Sequence, residues 1–164
     1  MTTAVIQYFA LAAFAAAFVV AAVSDVRHYQ IPNRYPAAVA ASYAAYAATQ
    51  PIEFGLWGFA AGSLMFALGA LMFALRIMGG GDVKLLAAGM LWAGPDHAAT
   101  FLLVTALAGA VVALAWLTPV RHLVTATPVQ AEPSGLRERM RHPVPYGVAI
   151  AIGGICVAAL RTLH

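Results

Sequence analysis

Two acidic residues occupy positions where an apolar chain would normally avoid charge. Asp25 follows an apolar run that begins at Ala4, and Asp82 follows three consecutive glycines in "RIMGGGDVKLL", residues 76–86, at the start of another. Aspartate is costly to bring near hydrocarbon and glycine is costly in backbone entropy, so packing alone does not favour them. Two carboxylates held within a few ångströms cannot both ionise cheaply. They share a proton, one acting as base while the other remains an acid. Such a pair suits peptide hydrolysis: the ionised member takes a proton from a water between them, and the protonated member donates to the carbonyl oxygen under attack. Neither a metal nor a nucleophilic side chain is required. A small proton-coupled transporter would also use intramembrane carboxylates as relay groups, and that alternative stays open.

The elements that must position these acids follow from composition. The 164 residues are 63% hydrophobic and 9% charged, with a mean hydropathy of +0.84. A soluble domain carries roughly 25% charged residues, so the chain is expected to be an integral membrane protein. Its single cysteine, Cys156, lies in an apolar run and allows neither a disulfide framework nor a cysteine zinc site. The net charge is +3, but the basic residues stand between apolar segments, where they set membrane orientation; nucleic acid is not an expected partner. The first apolar run has no Lys or Arg before it and is longer than a signal-peptide core, which fits a retained span.

A hydrocarbon core needs about 20 apolar residues per helix. Six spans are expected, at 4–23, 35–49, 54–75, 83–94, 99–118 and 144–160, giving an all-α, six-helix membrane domain over residues 1–164 with a hydrophilic loop at about 119–143. Loops 24–34, 76–82 and 119–143, with Lys84, then hold eight of the nine Lys and Arg residues, leaving only Arg161 on the other side. The positive-inside rule makes the first side cytoplasmic and the N-terminus external. The same topology brings Asp25 and Asp82 to one membrane face, although they lie far apart in sequence. Glu53 and Asp96 read as solvated turn residues, and Glu138 as a partner for neighbouring arginines.

Around the two acids the sequence suggests local roles. Gly79, Gly80 and Gly81 permit positive φ angles and leave the backbone open to an extended peptide above Asp82. If Asp82 opens the fourth helix, its charge meets the positive end of the helix dipole. In "SDVRHYQIPNRYP", Pro32 interrupts continuation of the first helix, Asn33 is a candidate cap for the second, and Ser24 a candidate hydrogen-bond donor to Asp25. Lys84 lies two positions beyond Asp82 and should point away from it, as an interfacial or leader-contacting residue. Pro145 and Tyr146, in "PVPYG", start the last span and are candidates for a substrate groove. Trp57, Trp92, Trp116, Tyr8, Tyr35 and Tyr43 read as interfacial anchors, and the glycines of the third and sixth spans as close helix contacts. The five histidines show no ligand spacing, so neither metal nor cofactor is assigned.

These residues carry a family resemblance. "GGGD", with Gly79, Gly81 and Asp82 in the fixed places of G-x-G-D, joins Asp25, Arg27, Ile31, Pro32 and Asn33 of a "D-x-R…I-P-N" stretch and the "PVPYG" at 143–147. Together they resemble the type IV prepilin peptidases, membrane aspartyl proteases of the bacterial inner membrane. The resemblance implies removal of the short basic leader from prepilin-like precursors at the cytoplasmic face, after a glycine and before a hydrophobic stretch. Asp25 and Asp82 match the family's catalytic pair. Larger members carry a cytoplasmic region with paired cysteines that accompanies N-methylation of the product. Here the 24–34 connection is short and has no cysteine, so the chain is similar to the minimal form associated with tight-adherence (Flp) pili, and peptidase activity without methyltransferase activity is expected.

Overall fold

In a computed structural model, residues 2–117 and 144–163 are described; the side chains of 116 and 117 are not. The expected 119–143 loop, with Pro143, lies outside them. Among the described residues every regular element is helical: α1 (Thr2–His28), α2 (Arg34–Ala47), α3 (Ile52–Ala74), α4 (Gly80–Leu117) and α5 (Tyr146–Thr162). Three of these, α1, α3 and α4 as far as Ala115, are long and apolar enough to cross a membrane. Large apolar side chains such as Phe9, Phe59, Leu64, Leu103 and Val111 remain exposed on their outer faces, as lipid-facing surfaces do.

The helix ends are set by backbone motifs at unexpected residues. Tyr29, with φ of 50°, ends α1 in the left-handed region, and its N–H donates to Asp25 O at 2.8 Å. This single bond to the carbonyl four residues back stops the helix three residues before Pro32. The helix therefore runs through Asp25, which the sequence had placed in a connection. At the end of α3, Arg76 has φ of 59°. Its N–H donates to Phe73 O and that of Ile77 to Met72 O, both at 2.9 Å. Together these bonds form a Schellman turn with arginine where glycine is usual.

The fourth and fifth expected spans join in α4, which breaks at Gly94 (φ 58°, ψ −171°), next to Pro95. Only glycine adopts this conformation readily. A methyl group built on Gly89 would lie 2.6 Å from the Phe101 ring, whereas twelve residues of straight helix would separate the two by about 18 Å. The two limbs, residues 80–93 and 95–117, thus fold back on each other. The break leaves carbonyls at the end of the first limb without intrahelical donors. Arg161, from the end of α5, fills that need: its guanidinium donates to Trp92 O at 3.2 Å and Ala93 O at 3.3 Å, and lies over the Phe54 ring at 4.8 Å.

The core is aromatic where α1, α2 and the first limb of α4 meet. Trp92 is fully buried against Phe14, Tyr43 and Tyr46, and its indole N–H donates to Val39 O at 3.2 Å. Trp92 and the buried Tyr43 are therefore core residues rather than interfacial anchors, while Tyr8 and Trp57 do lie exposed on the surface. The anchor expected at Trp116 falls on a side chain outside those described. Small residues set the packing distances as expected. Gly62 and Gly69 on α3 lie against Leu91 and Val83 of α4, and Gly154 on α5 against Phe18 of α1. The contact of Gly69 with Val83 fixes the start of α4, and Asp82 with it.

Candidate active site

Asp25 and Asp82 come from helix ends that meet at one end of the bundle. Asp25 stands in the last turn of α1, oriented by the Tyr29 turn, and Asp82 in the first turn of α4. Both face a cleft of about 480 Å³ whose other walls are the strap Tyr29–Asn33 and Gly79, Gly80 and Gly81. Each carboxylate lies within the electrostatic reach of the other. The bundle's other end is about 35 Å away along α3, from its length of 23 residues at 1.5 Å each. It holds a separate cavity lined by Glu53, Asp96, Gly94 and Arg161.

The two acids are held differently. Asp25 is buried, 6% exposed, and its Oδ2 accepts a 2.7 Å hydrogen bond from the backbone N–H of Gly147, 122 residues later in the chain. Asp82 is half-buried, and its Oδ2 lies against the backbone of Gly79, just before its own helix. It also gains from the positive end of α4.

The glycines act by leaving space. None of Gly79, Gly80 and Gly81 has a positive φ; the only glycine that does among the described residues is Gly94. A methyl at Gly79 would lie 2.9 Å from Asp82 Oδ2, and one at Gly81 would lie 3.0 Å from Ile31 Cβ. The expectation of positive φ angles here is thus corrected. Glycine fits beside Asp82 because strap and carboxylate approach the backbone too closely for a side chain.

A profile of the type IV leader peptidase family matches residues 12–114, more than half of the chain and a range that contains both aspartates and all three glycines. The chain belongs to the type IV leader peptidase family. Comparisons with curated proteins and with solved structures gave no match. Membership in this family identifies the chain as a peptidase.

Lys84, Ser24, Pro145 and Tyr146 lie outside the cleft lining. The exposed Lys84 turns from Asp82 and donates from Nζ to Asn33 Oδ1 at 2.8 Å, tying the start of α4 to the start of α2. Asn33 consequently makes no side-chain cap for α2. Ser24 donates to Gln30 O at 2.9 Å rather than to Asp25, fastening the strap to α1. Tyr146 is 47% exposed and packs beside Gly109. Pro145 is fully buried, with φ of −75° and ψ of 81°, and the Tyr146 N–H donates to Val144 O at 2.9 Å. This tight inverse γ-turn leads directly into Gly147.

Gly147, which the sequence does not single out, is the residue that contacts Asp25. It was grouped with the small residues of a helix interface, and nothing local to it announces a partner in α1. The signal available was its place at the end of "PVPYG", immediately after a proline-directed turn. Among the described residues no group of three or more His, Cys, Asp or Glu side chains could hold a metal ion.

Proposed function

We propose that this leader peptidase is a membrane aspartyl endopeptidase in which Asp25 and Asp82 jointly activate a water molecule. The observation that carries this reading is the convergence of the two carboxylates on one cleft with a glycine floor. An extended peptide lies along residues 79–81, its scissile carbonyl above the pair. One carboxylate removes a proton from water as its oxygen bonds to the carbonyl carbon, while the other, protonated, donates to the carbonyl oxygen. Collapse of the resulting diol breaks the C–N bond, with a proton passed to the departing amine. Because the acids are coupled, the proton belongs to the pair and the first base is not assigned to either alone.

The substrate in this reading is a prepilin-like precursor, cut after the glycine that ends its basic leader. The cleft faces the cytoplasm, in a bacterial inner membrane crossed six times with the N-terminus outside. The placement of Arg27, Arg34, Arg76 and Lys84 in the same turns and helix ends as the cleft supports that orientation. The short strap without cysteine supports peptidase activity alone, so the product is expected to carry no new N-methyl group.

The test is leader removal from a prepilin-like precursor by the membrane-embedded chain and its Asp25→Asn and Asp82→Asn variants. Each variant is expected to remain folded and to lose roughly 10²- to 10⁴-fold in rate, the usual scale of general acid–base catalysis. Full cleavage by either variant would reject the paired mechanism.

A further inference from the structure

Asp25 could in principle rotate freely about its side chain in the last turn of α1, yet it is fixed by a group from the opposite end of the sequence. The three first backbone N–H groups of α5 are each accounted for. Tyr146 donates to Val144 O and Val148 to Pro145 O, and between them Gly147 donates to Asp25 Oδ2. Within the protein a helix start normally finds its acceptor in a cap residue of its own segment; here Pro145 has no such side chain and the acceptor is the site carboxylate.

The steric fit is as specific as the hydrogen bond. A methyl on Gly147 would lie 2.8 Å from Asp25 Oδ2, 3.0 Å from Asp25 Cβ and 3.0 Å from Ile31 Cδ1. Ile31 in turn meets Gly81, the residue before Asp82. The same strap side chain therefore touches the backbone that precedes one acid and the backbone that binds the other.

We propose that Gly147 is a positioning residue for hydrolysis: its N–H holds Asp25 Oδ2 and so turns the second oxygen of Asp25 toward Asp82 and the cleft. This rests on the paired-aspartate reading and adds a third segment, residues 144–147 of α5 and its entry turn, to the site. Gly147 touches no reacting atom in this assignment. Its effect passes through Asp25, with Pro145 fixing the direction of its N–H.

Three measurements on the full membrane-embedded chain test it. With selective ¹⁵N-glycine labelling, the Gly147 amide proton is expected to resonate downfield in the parent chain and to lose that shift in Asp25→Ala, but to keep it in Asp82→Asn. In precursor cleavage the Gly147→Ala methyl is expected to push Asp25 Oδ2 away from the N–H and lower kcat roughly tenfold or more, the scale of a lost hydrogen bond to a charged group, with KM within about twofold. The double variant Gly147→Ala with Ile31→Ala relieves the contact with Ile31 only and leaves those with Asp25, so kcat is not expected to recover. An amide shift indifferent to Asp25→Ala overturns the proposal, as does wild-type kcat in Gly147→Ala or full rescue of kcat by Ile31→Ala. Should Gly147→Ala fail to fold, the amide shift still decides. Inactive Asp25→Asn and Asp82→Asn variants beside a fully active Gly147→Ala would remove the positioning role alone, whereas active aspartate variants would remove the paired mechanism itself.

Discussion

The two ends of the helix bundle both bury charge, and they use it in opposite ways. At one end Arg161 spends its guanidinium on the protein: two carbonyls at the broken end of a helix and the face of Phe54. At the other end Asp25 takes one backbone hydrogen bond, Asp82 lies against the Gly79 backbone, and both face an open cleft. A charge whose hydrogen bonds go to backbone carbonyls at a helix end serves architecture. One that keeps acceptor capacity directed at a cleft is available for chemistry, because a carboxylate can accept several hydrogen bonds and these two have capacity to spare.

This contrast predicts which end can be altered without touching turnover. The largest loss of activity belongs to the acid end, where Asp25→Asn and Asp82→Asn remove the reacting groups while changing little of the packing. Arg161→Met should do the reverse. Met keeps much of the apolar stem but removes the donors to Trp92 O and Ala93 O, and stranded buried carbonyls cost about 1–3 kcal/mol. Thermal unfolding in detergent should therefore move down, whereas the cleavage rate per folded molecule should stay near that of the parent chain. A rate loss comparable to that of the aspartate variants would break the comparison, since it would mean that the outer end communicates with the cleft.

A smaller effect sharpens the same point within the core. Trp92→Phe retains an aromatic ring among Phe14, Tyr43 and Tyr46 but loses the indole donor to Val39 O. The expected cost is about 1 kcal/mol of stability, read from a denaturation curve, with no change in cleavage at saturating precursor. An unchanged denaturation midpoint would show that the Val39 carbonyl finds another donor.

Much of this arrangement was legible in the sequence, and the reasons divide by range. The apolar runs announced helices because hydrophobicity is a summed, local property, and charge asymmetry grouped Asp25 with Asp82 at one face. The chemistry of the acids was legible because their residue type is so costly at the edge of an apolar segment. Helix stops were harder to read. Tyr29 and Arg76 take left-handed conformations that sequence signals reserve for glycine or asparagine, and the packing around them decides the matter. Glycine roles split in the same way: Gly94 uses conformational freedom, while Gly81 and Gly147 provide space for particular side chains, which no spacing rule specifies. Trp92 and Gly147 were misread for a common reason. Their partners, Val39 and Asp25, lie 53 and 122 positions away, and only the fold brings them together.

The smallest effect is expected at Lys84, which stands nearest the boundary between the two kinds of use. It follows Asp82 by two residues and invites a role in the reaction, but its ammonium is exposed and engaged with the Asn33 side chain. Asn33 also borders the cleft, so the bond connects the strap wall to the helix that carries Asp82. An exposed side-chain contact of this kind contributes about 0.2–1 kcal/mol, too little to hold the wall by itself while Ser24 and Ile31 still anchor the strap. Lys84→Met should therefore leave kcat unchanged and raise KM no more than about twofold to threefold, a shift seen in steady-state cleavage of a graded precursor series. A kcat loss of more than tenfold would move Lys84 from the architecture of the cleft into its chemistry.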